Sequence, residues 1–561
     1  MKRLLNEDLA DRLRQAIERA QAAGALPAFD IPAVPVERPK QAAHGDYATP
    51  IAMQLARLAR QAPIKIAETL VRYFEAPDYV GGVEAAAPGY INLSLSPQWL
   101  AAQADAIRAQ GEAFGSVDLG AGTRLQVEFV SANPTGPLHT GSARNAVLGD
   151  TVANVLAAAG YDVEREYYVN DAGSRMHAFY TSVYARYAQA LGADEPVPED
   201  GYLGTYLIEW GRRIAEEEGD RYLLLPREDA IPLIGERGLA IALESIRSDL
   251  AAMGVSYNRW FSERTLYEPV APAPSLFDRV VGILRRGGYV EEREGAVWFK
   301  ATALGGDKDE VIIRSNGQPG YFASDIAYHY DKFVVRGFDR VIDVWGADHQ
   351  GHVPRMKALM RALELDPERL EFMIYQLVTL RRGGEIVRLS KRTGDIITLR
   401  EVLDEIGPDA LRFFLLARSA DSQMDLDLEL AVKQSDENPV YYVQYAHARI
   451  ASILRRAGDL PIEEGDVSLL VSEPEQNLLR QLLRLPEVVH QAAAERAPHH
   501  LTYYAQELAG VFHGFYRDCR VVSSDPADRE ITLARLKLVD AARIVLARTL
   551  HLMGMSAPET M

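Results

Sequence analysis

Apolar residues recur at spacings of three and four in "MKRLLNEDLADRLRQAIERA", which marks an amphipathic helix at the start of the chain. Helical patterns continue through "HGDYATPIAMQLARLAR" and "APIKIAETLVRYF". The alternation Tyr90, Ile91, Asn92, Leu93, Ser94, Leu95 then predicts a strand. A loop rich in Gly and Ala, "GSVDLGAGT", separates this first unit, residues 1–115, from the apolar strand "RLQVEFV". Next come the helix "ARNAVLGDTVANVLAAAG", whose Gly160 suits a C-terminal cap, and the strand "YDVEREYYV". Strand, helix and strand in succession imply a parallel sheet with a right-handed crossover. Further strands are predicted in "DEVIIRS", "YFASDIAYH", "FDRVIDVWGADH" and "LEFMIYQLVTL". The intervening stretch, about 180–300, is helical and charged and reads as an insertion. Beyond about 435 the pattern is nearly all helix, with Leu478, Leu482, Leu485 and Val489 on one face. The pattern therefore predicts a multidomain α/β chain: a unit over 1–115, a Rossmann-type parallel-sheet unit over 116–385, a connecting region over 386–434 and a helical unit over 435–561.

Composition narrows this picture modestly. A chain of 561 residues is too long for one core, and 48% hydrophobic with 25% charged residues is ordinary for a folded soluble protein. The first helix is charged throughout, unlike a signal peptide, and no apolar run approaches the roughly 18 residues of a membrane span, so a cytoplasmic location is expected. Cys519 is the only cysteine, which excludes an internal disulfide and a cysteine zinc cluster. The formal net charge of −18, taken alone, argues against a nucleic-acid partner. An acidic protein can still carry one basic track, so charge leaves the partner open.

Two segments carry candidate chemistry. In "EFVSANPTGPLHTGSARN" a strand end feeds a helix N-terminus, where free N–H groups and a positive dipole end suit phosphate. Gly136 and Gly141 permit close approach, and His139 supplies a donor. The spacing is neither GxGxxG nor GxxxxGK[ST]. The plain alternative is a tight turn with a surface histidine. In "IVRLSKRTGDIITLREVL", Arg388, Lys391 and Arg392 crowd together beside Ser390, Thr393 and Gly394. Such a cationic, hydroxyl-bearing loop suits a phosphate chain whose charge rises during transfer, although runs like it are commonly just solvated.

Taken together, "PLHTGSARN" resembles the HIGH signature and "RLSKR" the KMSKS loop of class I aminoacyl-tRNA synthetases, with Lys391 on the second lysine. "VEFVSANPTGPLH", "EYYVNDAGSRM", "YFASDIAYHYDKF", "GADHQGHV", "ENPVYYVQYAHARI" and "LHLMGMSAPETM" resemble the arginyl-tRNA synthetases over nearly the whole chain. Ser142 stands where HIGH has its second histidine, Arg388 replaces the first lysine of KMSKS and Arg392 its last serine.

The resemblance implies ATP-dependent ligation of L-arginine to tRNA(Arg) through an arginyl-adenylate, with release of AMP and pyrophosphate and with Mg2+ on the phosphates. It makes 1–115 an additional domain touching the outer corner of the tRNA, 116–385 the catalytic domain, 386–434 the KMSKS-like loop and stem-contact region, and 435–561 the anticodon-binding domain of a monomer. His139, Ser142, Arg388 and Lys391 become the catalytic set, with Pro137, Gly141, Asn145 and His352 beside ATP; no resident metal ligand is expected.

Arginine is a planar cation with five N–H donors, so its pocket needs fixed, preferably anionic, acceptors. The resemblance puts Asp325 on the guanidinium, Glu128 and Asn133 nearer the α-amino group, Tyr321 on the wall, and Tyr328 and His349 close by. Single-stranded RNA is read by stacking and base-edge hydrogen bonds, which fits the tyrosines of the helical unit. By resemblance Tyr90 and Asn92 contact the tRNA corner, and Tyr442, Tyr445, Phe515 and Met561 the anticodon. The competing readings are a catalytically inactive tRNA-binding paralogue and another α/β nucleotidyltransferase with a HIGH-like turn.

Overall fold

The structure is a computed structural model that describes residues 4–269, 271–387 and 397–561. At its centre five parallel strands lie in the order Leu370–Tyr375, Arg340–Gly346, Arg124–Glu128, Asp162–Val169, Arg259–Ser262. Leu125, Val127, Val341 and Ile342 are buried in the inner strands, as expected of a parallel sheet covered on both faces. The chain enters at Arg124–Glu128, builds outward to Arg259–Ser262, then crosses back to Arg340–Gly346 on the other side. That reversal opens a crevice at the carboxyl ends of strands Arg124–Glu128 and Arg340–Gly346, the place where open α/β sheets bind ligands.

The crossover helix Thr140–Ala158 is buried almost all round. It is covered by the sheet on one side and by helices Leu399–Ile406, Pro408–Leu416 and Leu485–Glu495 on others, so it needs no polar stripe. It ends as expected, with Gly160 just beyond it at φ +85. Near its start the fully buried Arg144 donates to the carbonyls of Gln376 (2.6 Å), Ser422 (2.8 Å) and Ser419 (2.9 Å), fastening it to the segment after the sheet.

Three sequence expectations are corrected. "YFASDIAYH" is not a strand: helix Ala323–Tyr330 forms there, because Phe322, Ala323, Ile326 and Ala327 recur at a spacing of four and all are buried. "LEFMIYQLVTL" is two strands in different sheets, Leu370–Tyr375 and Val378–Arg382, broken where the Gln376 N–H turns to the Ala420 carbonyl. Within 180–300, helices Tyr206–Glu218 and Arg227–Ala252 pack on Ser174–Ala190, but Arg259–Ser262 belongs to the central sheet. Four residues are too few to show an alternating pattern. Their place is fixed by Trp260 stacking on Tyr167 at 4.3 Å.

The first unit has a three-stranded antiparallel sheet with Tyr90–Leu95 in the middle, flanked by helices that include Leu5–Ala22 and Pro63–Tyr73. Helix Pro97–Gln110 packs on Glu473–Leu482 and Arg529–Leu552 of the helical C-terminal unit. Ion pairs join the two units: Arg38–Glu487 (2.7 Å), Arg480–Asp46 (2.8 Å) and Arg108–Asp540 (2.9 Å).

Arg412, wholly buried, binds Asp150 of the crossover helix, the Met553 carbonyl (2.7 Å) and the Met253 carbonyl (2.9 Å). Arg412→Ala should cost about 3–5 kcal/mol, since it leaves two buried carbonyls unpaired and takes Asp150's closest cation. An unchanged denaturant midpoint would contradict that.

Candidate active site

The strand Arg124–Glu128 runs into a strained turn. Val130 (φ +67) and Ser131 (φ +43) both adopt the left-handed conformation that a β-branched residue in particular avoids. The turn is held from several sides. The Val130 N–H donates to Asn145 Oδ1 (2.7 Å), and Asn145 Nδ2 donates to the Val344 carbonyl (3.0 Å). Ser131 Oγ donates to Glu128 Oε1 (2.9 Å) and accepts from the Tyr168 N–H (3.1 Å). Both ends of the Asn145 amide are thus used to tie the turn to the neighbouring strand.

His139 caps helix Thr140–Ala158, its Nδ1 accepting the Gly141 N–H at 3.0 Å. A Cβ at Gly141 would lie 2.7 Å from the imidazole, so this cap requires glycine. Partial burial pushes the His139 pKa below its ordinary value, favouring a neutral ring with Nε2 left as the donor. Ser142 is buried behind it, and its N–H bonds the His139 carbonyl. The two signature segments meet here. Thr398 bridges His139 in antiparallel fashion, and the Leu399 N–H donates to the Leu138 carbonyl at 2.7 Å. Arg388, Lys391 and Arg392 themselves lie outside the described residues, but the chain returning from them is bonded to the turn that carries His139.

Below the crevice, Asp343, Glu128 and Glu166 stand abreast as register partners on three adjacent strands. Cations from the segment after helix Ala323–Tyr330 answer them. Lys332 Nζ reaches Glu128 Oε2 (2.5 Å) and Asp343 Oδ1 (2.9 Å). Arg336 forks onto Glu166, which also accepts from Gln126 (2.8 Å) and the Tyr328 hydroxyl. His329 places Nε2 2.9 Å from Asp343 Oδ2 and Nδ1 2.8 Å from the Asp325 carbonyl. Despite burial, Lys332 and His329 hold Asp343 well below the usual carboxylate range.

Two further acids stand apart from this balance. Asp325 is pushed up to about 6, by burial first and then by Glu128 and Asp343, with His329 and Lys332 opposing. Glu263, at the end of strand Arg259–Ser262, is pushed up to about 7 by burial and by Asp325 and Asp171. Among the described residues neither has an ion-pair partner within 4.0 Å. Two such carboxyls, raised by burial and by neighbouring acids, are candidate partners for a cation.

The remaining expected residues fall into three groups. Tyr321, 63% exposed, meets His352 edge-on at 5.9 Å, and His349, His352 and Trp345 cluster with it where strand Arg340–Gly346 ends. Asn133 is exposed and Pro137 half-buried on the signature turn. Tyr328 is buried, its hydroxyl given to Glu166 and its ring over Lys332, so it belongs to the layer beneath the cleft.

On the C-terminal unit Tyr445 lies nearly parallel to Tyr441 (5.7 Å, 8°) under the Arg449 guanidinium, and Tyr442 meets His513 at 5.0 Å. Phe515 is a core residue, 1% exposed and packed on Phe512, which puts its ring out of reach of a base. Its neighbour Tyr516 presents its ring to Arg449. Met561 is exposed, Tyr90 stands out from the N-terminal sheet, and Asn92 is half-buried beside it. Sequence reasoning named Tyr441 among the aromatics of the helical unit without assigning it a contact, and did not single out Glu263, Lys332, Arg449 or Tyr516. The "YYVQYAHAR" spacing could have yielded Tyr441 and Arg449, one and two helical turns apart, but nothing local marks Lys332.

A parallel sheet whose switch point carries a His-bearing turn, bonded to the chain at Thr398 and Leu399, is the architecture of a class I aminoacyl-tRNA synthetase. Family models agree along the chain: arginyl tRNA synthetase N terminal domain over 7–95, tRNA synthetases class I (R), catalytic domain over 105–199 and 265–434, and DALR anticodon binding domain over 443–561. The chain is 52% identical over 555 residues to an arginine–tRNA ligase of Dehalococcoides mccartyi (strain CBDB1), covering 99% of this chain and 98% of the relative. It is 48% identical over 559 residues to that of Carboxydothermus hydrogenoformans, covering 99% and 98%. The solved Thermus thermophilus arginyl-tRNA synthetase, 24% identical, shares the fold over the whole of both chains with a TM-score of 0.76. The chain belongs to the arginyl-tRNA synthetase family.

If a guanidinium is seated against these two raised carboxyls, its binding will depend on pH. Each carboxyl is charged above its pKa and a guanidinium stays charged throughout, so attraction is full at about pH 8 and is lost as pH falls through 7 and then 6. The arginine KM should rise as pH drops from 8 to 5.5, with the ATP KM changing far less. Glu263→Gln should erase the upper step and leave the one near 6. A KM for arginine that stays flat over this range would contradict the assignment.

Proposed function

We propose that Asp325 and Glu263 seat the arginine guanidinium while the signature turn and the basic loop hold ATP, so that the amino acid's carboxylate faces the α-phosphorus. The observation that carries this reading is the pair of partly buried carboxylates, Asp325 and Glu263, that have no ion-pair partner among the described residues. The enzyme ligates arginine to tRNA in two steps. An arginine carboxylate oxygen attacks the α-phosphorus of ATP, the bond to the β-phosphate oxygen breaks, and pyrophosphate leaves. A ribose hydroxyl at the tRNA 3′ end then attacks the arginyl carbonyl, and AMP departs. Positioning and charge stabilisation suffice, with no protein nucleophile.

In this reading neutral His139 donates from Nε2 to a phosphate oxygen, and Lys391, with Arg388, follows the charge that develops on the departing pyrophosphate. Gly141 and Ser142 offer the helix N-terminus, Pro137 shapes the turn, and Asn145 acts through the turn it fastens. Tyr321 walls the amino-acid site, with His349 and His352 between it and the nucleotide. Glu128 and Asn133 face the α-amino group. Mg2+ arrives on the triphosphate in this reading.

Tyr441, Tyr445, Arg449 and Tyr516 make a stacking platform for anticodon bases, with Tyr442 and Met561 at its margin, and Tyr90 and Asn92 touch the tRNA corner. Among the described residues no helix is long and apolar enough to cross a membrane. A cytoplasmic monomer completes the reading.

ATP–pyrophosphate exchange with each amino acid, with and without tRNA, tests it as a whole: arginine alone should support exchange. Lys391→Ala should cut aminoacylation about a hundredfold or more while tRNA affinity stays within about threefold. Rates within a few-fold of wild type would remove Lys391 from the mechanism. Asp325→Ala should raise the arginine KM by more than about thirtyfold with the ATP KM nearly unchanged. An unaltered arginine KM would exclude Asp325 as the guanidinium partner.

A further inference from the structure

After helix Ala323–Tyr330 the chain makes one wider turn, Asp331–Val335, closed by the Arg336 N–H to the Asp331 carbonyl (2.8 Å). Turns of this kind occur often at functional sites. Lys332, on this turn, has 0% exposure, lies 2.5 Å from Glu128 Oε2 and 2.9 Å from Asp343 Oδ1, and sits 4.2 Å from the centroid of the Tyr328 ring. The other oxygen of Glu128 is taken by Ser131 Oγ at 2.9 Å, from a residue held at φ +43. A buried charge cluster of this sort is a poor way to gain stability, since apolar side chains of the same volume commonly do as well. Its presence beside the cleft therefore points to a role in binding.

We propose that Lys332 is a positioning residue for arginine recognition. By holding Glu128 it removes that carboxylate from competition, Asp343 keeping His329 as a second partner, and leaves the incoming guanidinium a single seat at Asp325 and Glu263. Glu128 borders Asp325 closely enough to influence its charge. Stripped of Lys332, it offers the cation a second seat, from which the amino acid's carboxylate no longer lines up with the α-phosphorus. Glu128 in its present state keeps lone pairs for the α-amino group without acting as a rival anion. Lys332 touches no reactant in this scheme and acts through Glu128.

The inference rests on Asp325 and Glu263 being the guanidinium carboxylates, and the test is a double-mutant cycle of Lys332→Met and Glu128→Gln in the full-length enzyme. It is read by aminoacylation kinetics and by calorimetric arginine binding. Lys332→Met alone should lower kcat/KM for arginine at least about tenfold while the ATP KM stays within about threefold. In the Glu128→Gln background the same change should shift arginine affinity by less than about threefold, because the rival charge is already gone. A Lys332→Met effect that persists in full in that background, or one that weakens arginine and ATP alike, overturns the proposal, as does no effect at all. If the single variant does not fold, Glu128→Gln compared with the double variant decides the matter by itself. Asp325→Ala is run alongside: unchanged arginine binding there faults the guanidinium assignment, not the role of Lys332.

Discussion

Asp343, Glu128 and Glu166 stand side by side across a parallel sheet, where water cannot screen them from one another. Unanswered, that row would either protonate or force the strands apart. The chain answers it with cations from one short segment, Lys332 and Arg336, and with His329 one turn earlier. Lys332 lies on the loosened turn Asp331–Val335, and the Arg336 N–H closes it onto the Asp331 carbonyl. The carboxylates beneath the crevice are thereby balanced, while Asp325 and Glu263 have no ion-pair partner among the described residues and, in the proposed reading, are balanced by the ligand.

In the proposed reading the same balance accounts for selectivity. A neutral or anionic side chain entering the cleft leaves two carboxyls unpaired, and they respond by holding protons. Lysine brings one compact charge but no planar fork, so it cannot serve two acceptors at fixed positions as a guanidinium can. The strained turn at Val130 and Ser131 adds register: it aims the segment leading to His139 and also supplies the hydroxyl that holds Glu128. In the proposed reading, amino-acid recognition and nucleotide recognition thus share one piece of backbone.

Much of this was legible in the sequence, for physical reasons. The strand–helix–strand pattern from Arg124 to Val169 was clear because two short apolar runs flank one long one, set off by Pro and Gly, so length and punctuation separate strand from helix. The His139 turn and the basic loop were clear because glycines and clustered charges punctuate the chain. Helix Ala323–Tyr330 was misread as a strand because eight residues give barely two helical turns, too few to separate the two periods. Strand Arg259–Ser262, and with it Glu263, stayed hidden because its pairing with Asp162–Val169 spans about ninety residues and leaves no local trace. Lys332 was invisible for a similar reason: its meaning lies in Glu128, 204 positions away. Phe515 was misassigned because an aromatic at helical spacing reads the same in a core as on a platform, and only its neighbours separate the cases.

The central claim is that two carboxyls, partly protonated in the free protein, become fully charged around a bound guanidinium. Titration calorimetry of arginine at pH 6.5, in two buffers of different ionisation enthalpy, measures this directly. With carboxyls at about 6 and about 7, the account predicts release of about one proton per arginine bound. Binding with no net proton release would contradict it.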